Sequence, residues 1–422
     1  MLRSPVLDLD GAVGFEGSDG ADEPDRLVPA HFGNPVHEQS LLAEGQAVVA
    51  LARDVVAVTG ADRLSWLTTL SSQVLTSLAP GDGGAETLLL DAQGHIIHAL
   101  AAVDDGETLF LVTEAGDGPA LADFLDSMRF LLRVEVSLRE DLAVLGAHGE
   151  GVGVVESEAL QAGGLVGTWR DPWPGVVPGG TSYDVGLGAQ GRPFRHPGTE
   201  YEAGEVLVAA DRVRAVVTAA RGRGLRPAGV LAWEALRVEA GRPRWSREVD
   251  DRAIPHELDW LRTAVHLTKG CFPGQETVAR TLNLGRPPRR LTILQLDGLS
   301  GDLPGPGDRV LMGERPVGTV TSVVRHHDCG PMALALLRRA VPVEAALTVE
   351  VTQPVSQGET SEAGRGLGGG EEPGDGGRVV VGRVDAAQEP LVSPEGKAQA
   401  SPAERPGAGL RTSLLRRPGS DR

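Results

Sequence analysis

Positive charge is scarce in this chain. Its 422 residues include 40 basic and 58 acidic side chains, which gives a net charge of −18. Surfaces that bind nucleic acids or anionic membranes neutralise phosphates with cations, so this balance argues against both kinds of partner. The sequence also lacks any run of about eighteen apolar residues, and we therefore expect no membrane-spanning helix.

Cysteine is equally rare. Only Cys271 and Cys329 occur, and they lie far apart in the sequence. Two distant cysteines form no disulfide framework, which fits a reducing compartment. The N-terminus carries acidic residues such as Asp8 and Asp10 in place of a basic-then-apolar leader. The sequence thus predicts a soluble, cytoplasmic protein.

The length allows two or three domains with a sizeable core. From residue 46 onward, strand-like runs alternate with two helical patterns, which predicts an α+β fold of mostly antiparallel sheets with helices. After Gly285, short strands separated by Gly and Pro predict a small β-barrel-like domain. We expect a mobile lead-in at 1–40, a first α+β subdomain at 41–145, a second α/β subdomain at 146–284, the barrel at 285–392 with a disordered Gly/Glu-rich insertion at 355–377, and a disordered tail at 393–422.

Lysine is the rarest cation, with two copies among the 40 basic residues. One of them, Lys269, lies two residues before Cys271. Pro273 and Glu276 suit the first turn of a helix, so Cys271 is predicted to precede a helix N-terminus. An ammonium and a helix N-terminus both favour thiolate, which makes Cys271 a candidate reactive group. The alternative is a partly buried cysteine in a tight Gly-Pro turn.

A second candidate lies on the helix predicted between Gly229 and Gly241. At helical spacing its apolar residues form one arc with Glu239 in the middle, whereas Glu234 and Arg237 point the other way. A carboxylate on an apolar face needs a donor. Glu239 is therefore expected either to pair internally with an arginine or to bind a ligand.

A metal site is not predicted. The run from His326 to Cys329 contains four possible ligands, but adjacent histidines on a strand face opposite sides and no second cluster has matching spacing. Two cysteines are also too few for an iron–sulfur framework. No Walker or dinucleotide fingerprint lies between a strand and a helix.

The run from Lys269 to Glu276, K-G-C-F-P-G-Q-E, resembles the signature of the YgfZ-type proteins, which are folate-binding relatives of the glycine-cleavage T-protein. The run from Arg237 to Gly241 resembles the R-x-E-A-G motif of the same families. The resemblance implies T-protein-like folate-binding domains and a tetrahydrofolate or another reduced folate as cofactor. It also implies that Glu239 holds the pterin, that Cys271 is a thiolate nucleophile or redox group tuned by Lys269, and that Gln275 and Glu276 position the turn or the ligand.

One departure separates this chain from the transferase. The T-protein strand carries an aspartate in a G-G-I-x-D-D pattern, whereas residues 94–99 here read G-H-I-I-H-A. The resemblance therefore implies a folate-binding accessory protein that supports assembly or repair of iron–sulfur client enzymes. Two alternatives remain: a one-carbon transferase that uses tetrahydrofolate, and a folate-sensing scaffold whose cysteine is structural.

Overall fold

The computed structural model describes residues 3–15, 23–183, 195–299, 301–354 and 378–403. The predicted insertion at 355–377 and residues 404–422 of the predicted tail lie outside these stretches. The helices are α1 Pro35–Ala43, α2 Arg63–Leu70, α3 Gly118–Met128, α4 Glu150–Gln161, α5 Val213–Gly222, α6 Val230–Glu239, α7 Trp245–Glu248 and α8 Gln275–Leu284. The strands are β1 Ala47–Leu51, β2 Arg53–Thr59, β3 Ala85–Leu90, β4 Ile96–Asp104, β5 Thr108–Glu114, β6 Glu135–Leu138, β7 Leu142–His148, β8 Leu165–Arg170, β9 Ala203–Ala209, β10 Arg226–Ala228, β11 Arg289–Leu296, β12 Arg309–Met312, β13 Arg315–His326, β14 Gly330–Arg338, β15 Leu347–Pro354 and β16 Arg378–Pro390.

The first sheet is antiparallel and has the strand order β3-β4-β5-β2-β6. Successive side chains along each strand point to opposite faces of the sheet, and apolar residues occur on both faces. One face packs on α2 and α3, where Val56 and Leu111 meet Leu67 and Leu121. The other face shares a core with the second sheet. Both faces of this sheet are therefore covered.

The second sheet has the order β10-β1-β7-β9-β8, with β1 and β10 parallel and the other pairs antiparallel. The expected boundary at residue 145 does not follow the sheets. β1 pairs with β7 and β10, so an early strand belongs to the second sheet. The reason is that the apolar runs of β1 and β2 differ in pairing partner, a property that strand periodicity does not encode.

The C-terminal strands form a closed barrel in the order β11-β14-β13-β12-β15-β16. Closure removes the free edges that six short strands would otherwise expose. Its interior is filled by aliphatic side chains such as Leu294, Val310 and Val349. The predicted fold class, antiparallel sheets with helices and a C-terminal barrel, is confirmed.

The N-terminal segment differs from the expected mobile lead-in. In its described part, Val28 is fully buried and the carboxylate of Asp25 is 1% exposed. A β-carbon at Gly229 would lie 2.1 Å from the carbonyl oxygen of Ala30, so the segment touches the start of α6 directly. Apolar side chains and buried ion pairs hold it down. Residues 393–403 pack as well, since the amide of Gln399 donates to the carbonyl of Ser182.

No helix in the described stretches is long and apolar enough to cross a bilayer.

Candidate functional site

Helix α6 is buried on nearly all sides, which differs from the predicted one-sided arc. Glu234 and Arg237, expected to point outward, are 7% and 1% exposed, while Leu231 is 37% exposed. Arg237 is satisfied by Glu234 at 2.6 Å and by Glu248 at 3.0 Å. Helical periodicity does not reveal that the side of α6 with Glu234 and Arg237 is buried, because it identifies buried faces by apolar residues and this face carries paired charges.

The position of Glu239 differs from the one predicted, which was the middle of the apolar face of this helix. It ends α6 with its side chain 47% exposed, and its Oε2 lies 3.2 Å from His326 Nε2. The contact with His326 holds the pKa of Glu239 below its usual value. Glu239 does not line the cavity between the two sheets. The carboxylate thus lies at the outer end of the helix, where it contacts the barrel.

Ligand atoms of Glu239, His326 and Cys329 lie within 4.8 Å of one another, a spacing that would suit a cation. The tautomer of His326 opposes that interpretation. Its Nδ1 accepts from the backbone amides of Asp328 and Cys329, at 3.3 and 3.1 Å, so the proton resides on Nε2. A metal at Nε2 would need the opposite tautomer. Burial raises the pKa of the Cys329 thiol, and the negative charge of Glu239 raises it further. Both effects disfavour the thiolate that a metal would need as a ligand.

A cavity of about 80 Å³ lies between the two sheets; we call it the tryptophan cavity. Aromatic residues make up only 4% of the chain, yet four of its six tryptophans line this space. Four arginines and four carboxylates complete the lining. These side chains are Trp169, Trp233, Trp245, Trp260, Arg53, Arg237, Arg242, Arg244, Glu86, Glu114, Asp171 and Glu205.

Arg242 organises one end of the tryptophan cavity. Its guanidinium lies 2.6 Å from Glu86 and 2.8 Å from Asp171, and it stands 5.0 Å from the centre of the Trp173 ring. Burial raises the pKa of Asp171 to about 6 despite the opposing charge of Arg242. The charges at this end are therefore held in a poorly solvated environment, where electrostatic contacts with a ligand are strong.

Arg53 and Arg244 organise the other end. Both bond to Glu114, and Arg244 also bonds to Asp25 and Glu234. Burial alone would raise the pKa of Glu114, but the two guanidinium groups outweigh it and lower the pKa to about 2. This carboxylate is ionised and fully used by its partners.

A few groups of the cavity keep unused hydrogen-bonding capacity. Glu205 receives both of its contacts from Arg53 on Oε1, and Oε2 has no partner in the described parts of the chain. Arg242 Nη1, Trp169 Nε1 and Trp245 Nε1 are buried donors without an acceptor among those residues. Buried polar groups seldom lack partners, so the three donors indicate a polar occupant, and the free oxygen of Glu205 offers an acceptor in the same lining.

The K-G-C loop, residues 269–274, lies elsewhere. Lys269 Nζ donates to the carbonyls of Thr68 and Ser71 at the end of α2, and it stands 4.8 Å from the centre of the Phe272 ring. Burial lowers the pKa of Lys269 to about 8. The ammonium therefore fastens the loop to the C-terminus of α2, where a positive charge is favourable.

Cys271 is exposed, as is Glu276, and Gln275 begins α8 partly buried. Gly274 precedes α8 in the left-handed region, with φ +78°. A β-carbon there would lie 2.8 Å from the carbonyl oxygen of Asp91 and from Gly94 Cα, so the loop packs against the turn between β3 and β4. The structure thus brings Cys271, Gln275 and Glu276 together on one surface, whereas none of them lines the tryptophan cavity.

His98 occupies the place where the T-protein pattern has an aspartate. It is 4% exposed, and its Nδ1 lies 2.8 Å from Asp117 Oδ2. Its ring lies 6.0 Å from that of Phe124 on α3, whereas its neighbours Ala99 and Ala101 line the cavity. The His98 ring also stacks on Trp245 of the cavity lining, at 6.3 Å between ring centres, so His98 lies between the helix layer and the wall of the cavity without lining it.

The cavity residues were not predicted from the sequence, although a weak signal for them exists. Glu86, Glu114 and Glu205 are single carboxylates within or at the ends of strongly apolar strands. Such carboxylates need buried partners, and four arginines at positions 237, 242, 244 and 247 supply candidates in one short stretch. Only the fold shows which of these groups meet.

Comparisons with known proteins agree with this architecture. Residues 289–363 match the family model described as the CAF17 C-terminal beta-barrel domain. An aminomethyltransferase of Corynebacterium aurimucosum is 25% identical over 77% of this chain and 87% of its own length. A chloroplastic protein of Arabidopsis thaliana is 36% identical, but the match covers 24% of this chain and only 22% of that protein.

The solved structure of the glycine cleavage system aminomethyltransferase T from Bartonella henselae superposes with a TM-score of 0.61. It covers 82% of this chain and 91% of that chain at 18% identity, so the likeness is one of fold. The chain is thus similar to aminomethyltransferases in sequence and in fold, and its C-terminal barrel is similar to that of the CAF17 family.

Proposed function

We propose that this chain binds a reduced folate through the tryptophan cavity and acts as an accessory protein for iron–sulfur enzymes. The observation that carries the folate proposal is that one cavity lining holds an Oε2 of Glu205 without a donor and three buried donors without acceptors in the described parts of the chain. A tetrahydropterin ring offers N–H groups to a carboxylate and a carbonyl oxygen to indole or guanidinium donors. The lining therefore holds partners for both kinds of group.

The walls of the cavity support the same ligand. Tryptophan side chains pack well against a flat ring, and four tryptophans line the cavity. A volume of about 80 Å³ corresponds to roughly five to eight water molecules. Drug-sized ligands occupy several hundred Å³, so the ring end of a folate fits the cavity and the remainder lies outside it.

The iron–sulfur part of the proposal rests on the K-G-C-F-P-G-Q-E resemblance. With two cysteines, the chain has too few thiols for a cluster framework of its own, so the cluster belongs to a client protein. Cys271 is exposed on the K-G-C loop and is accessible to such a client. In this proposal Cys271 is the thiolate nucleophile or redox group, and Lys269 fixes the loop that carries it. Gln275 and Glu276 contribute to the surface that contacts the client.

A one-carbon transferase is the second candidate, because several relatives are named aminomethyltransferases. That reaction in the resembled T-protein relies on an aspartate, and His98 stands in its place, paired with Asp117. Folate affinity without turnover supports the accessory role, whereas one-carbon loss from the folate supports the transferase.

Titration of the pure protein with tetrahydrofolate, scored for binding and for one-carbon transfer, tests the proposal. Glu205→Gln is expected to weaken binding by about 2 kcal/mol, roughly thirtyfold, because it removes a charge-assisted hydrogen bond. Glu239→Gln is the matched control, a carboxylate on the outer surface, and should leave the affinity unchanged. Trp169→Phe keeps the ring and removes one unpartnered N–H, so it should weaken binding by a smaller factor.

The folding of each variant is checked by its unfolding midpoint, since Glu205 also pairs with Arg53. Equal loss in Glu205→Gln and Glu239→Gln would place the ligand outside the tryptophan cavity. A loss confined to Glu239→Gln would restore the assignment made from the sequence.

A further inference from the structure

Trp245 is a cavity residue whose backbone does little to hold it. It is the first residue of α7, a helix of only four residues. Its indole lines the tryptophan cavity, and its Nε1 is buried with no acceptor among the residues that the structure describes. A helix of about one turn has too few backbone hydrogen bonds to be stable without tertiary contacts. The direction of this N–H group is therefore set by the side chains that pack on the indole.

His98 of β4 provides one of these contacts. Its ring centre lies 6.3 Å from that of Trp245, and the two ring planes differ by only 20°. Aromatic rings at such distances attract one another beyond their buried area, and an offset parallel arrangement is one of the two that they prefer. On α3, the ring of Phe124 lies 6.0 Å from His98 at a tilt of 52°. The imidazole thus connects the helix layer to the indole at the wall of the cavity.

Asp117 holds the imidazole in place. Its two carboxylate oxygens lie 2.9 and 2.8 Å from His98 Nδ1, and Thr113 Oγ1 donates to Oδ2 at 2.6 Å. His98, Asp117 and Thr113 are 4%, 6% and 3% exposed. A nitrogen that faces a carboxylate carries the proton, so Nδ1 is the donor of this pair. Rotation of the ring would leave a buried carboxylate without its donor, which is costly.

We propose that His98, held by Asp117, is a positioning residue that keeps the Trp245 N–H directed at a ligand in the tryptophan cavity. This inference rests on the proposed folate function. His98 does not line the cavity, so its effect on the ligand passes through the indole. Without the imidazole the indole adopts additional orientations, and the ligand must then order it on binding at an entropic cost.

A double-mutant cycle on the affinity for tetrahydrofolate, measured by anaerobic calorimetry on the full-length chain, tests this role. Trp245→Phe keeps a ring and removes the N–H, so binding should weaken about tenfold, the effect of one lost hydrogen bond. His98→Asn keeps a donor close to the position of Nδ1 and removes the ring, and it should weaken binding by up to about tenfold. The double variant should bind as Trp245→Phe does, because His98 acts only through that N–H.

The near-ultraviolet circular dichroism of the ligand-free protein gives a readout that does not depend on folate. The difference between the wild-type and Trp245→Phe spectra isolates the signal of this indole, and such signals require fixed packing. His98→Asn should lose most of that signal at temperatures well below the unfolding midpoint. Asp117→Ala should reproduce the loss, whereas Asp117→Asn keeps an oxygen for Nδ1 and should retain the signal.

His95→Asn is the matched control. His95 makes the same kind of contact, with Nδ1 2.9 Å from a carboxylate oxygen of Asp91, but it is 35% exposed in the turn between β3 and β4. This variant should change neither the affinity nor the indole signal.

Two results would overturn the positioning role and leave the folate proposal intact. One is a double variant in which the two losses of affinity multiply. The other is an unchanged indole signal in both His98→Asn and Asp117→Ala. If the wild-type protein does not bind tetrahydrofolate, the folate function is overturned, and the positioning role falls with it as a role in folate binding. The spectra then decide only whether His98 orders the indole.

Discussion

At the residue scale, Lys269 has a structural task. Its Nζ satisfies the carbonyls of Thr68 and Ser71 at the end of α2, and burial lowers its pKa to about 8. A neutral amine still carries two N–H groups, so both contacts survive deprotonation. The short sequence separation from Cys271 suggested that Lys269 tunes the thiol. In the structure the ammonium instead contacts the two carbonyls at the end of α2.

This arrangement predicts a pH dependence of stability. The native pKa of Lys269 is about 8 and the unfolded value is 10.5, so between these values the unfolded chain binds a proton that the native state has lost. The contribution of Lys269 to the free energy of unfolding therefore rises with pH across that window. Urea unfolding at pH 7.5 and 9.5 should show a rise in the wild-type protein relative to Lys269→Met.

Lys269→Met should also lower stability at pH 7.5 by about 1–3 kcal/mol, because two carbonyls lose their donor. Lys397→Met, the only other lysine variant available, is the control and should not reproduce either effect. Parallel pH profiles for wild-type and Lys269→Met proteins would contradict the assigned burial.

At the element scale, the K-G-C loop depends on its contact with the β3–β4 turn. Gly274 has φ +78°, and its α-carbon hydrogen faces Asp91 and Gly94 with no room for a β-carbon. Gly94 is similarly close to Thr277, where a β-carbon would lie 2.9 Å from the Thr277 Cβ. The hairpin turn and the start of α8 therefore position Cys271 together.

Gly274→Ala tests this contact against Gly270→Ala in the same loop. The first variant combines a left-handed backbone with a clash at 2.8 Å and should cost at least about 2 kcal/mol. The second has nothing within 4 Å of the added carbon and should change stability by less than about 0.5 kcal/mol. Chemical unfolding measures both, and equal costs would refute the role of the turn.

At the scale of the whole molecule, the last two strands of the barrel pair at the residues that flank 355–377. Pro354 of β15 lies opposite Arg378 of β16, so the two strands meet at the point where the Gly/Glu-rich stretch begins and ends. A connection of any length across this point joins strands that are already paired.

Deletion of residues 356–376 leaves a two-residue connection across that pair. Because shortening a loop lowers its closure entropy only slightly, the thermal midpoint should shift by no more than about 2–4 °C and folate binding should not change. Differential scanning calorimetry checks the first outcome. A large fall in the midpoint would mean that the deleted stretch packs on the barrel.

The sequence by itself determined the features that are local or periodic. The hairpin around residues 91–94, the helix after Gly274 and the C-terminal strands follow from turn residues, helix-start residues and alternation. The K-G-C-F-P-G-Q-E run carries the resemblance to the YgfZ-type proteins in eight adjacent side chains. None of these features requires knowledge of what lies far away in the chain.

The tertiary structure alone decided where the buried charges meet. Arg244 bonds to Asp25 across 219 residues of sequence, and Arg53 bonds to Glu205 across 152. Periodicity placed Glu239 inside because it lies in the middle of the apolar arc, and Arg237 outside because it lies on the opposite side of the helix. In the folded chain α6 is enclosed on nearly every side, and paired carboxylates offset the desolvation of Arg237. Glu239 is the last residue of α6, and its side chain is exposed there.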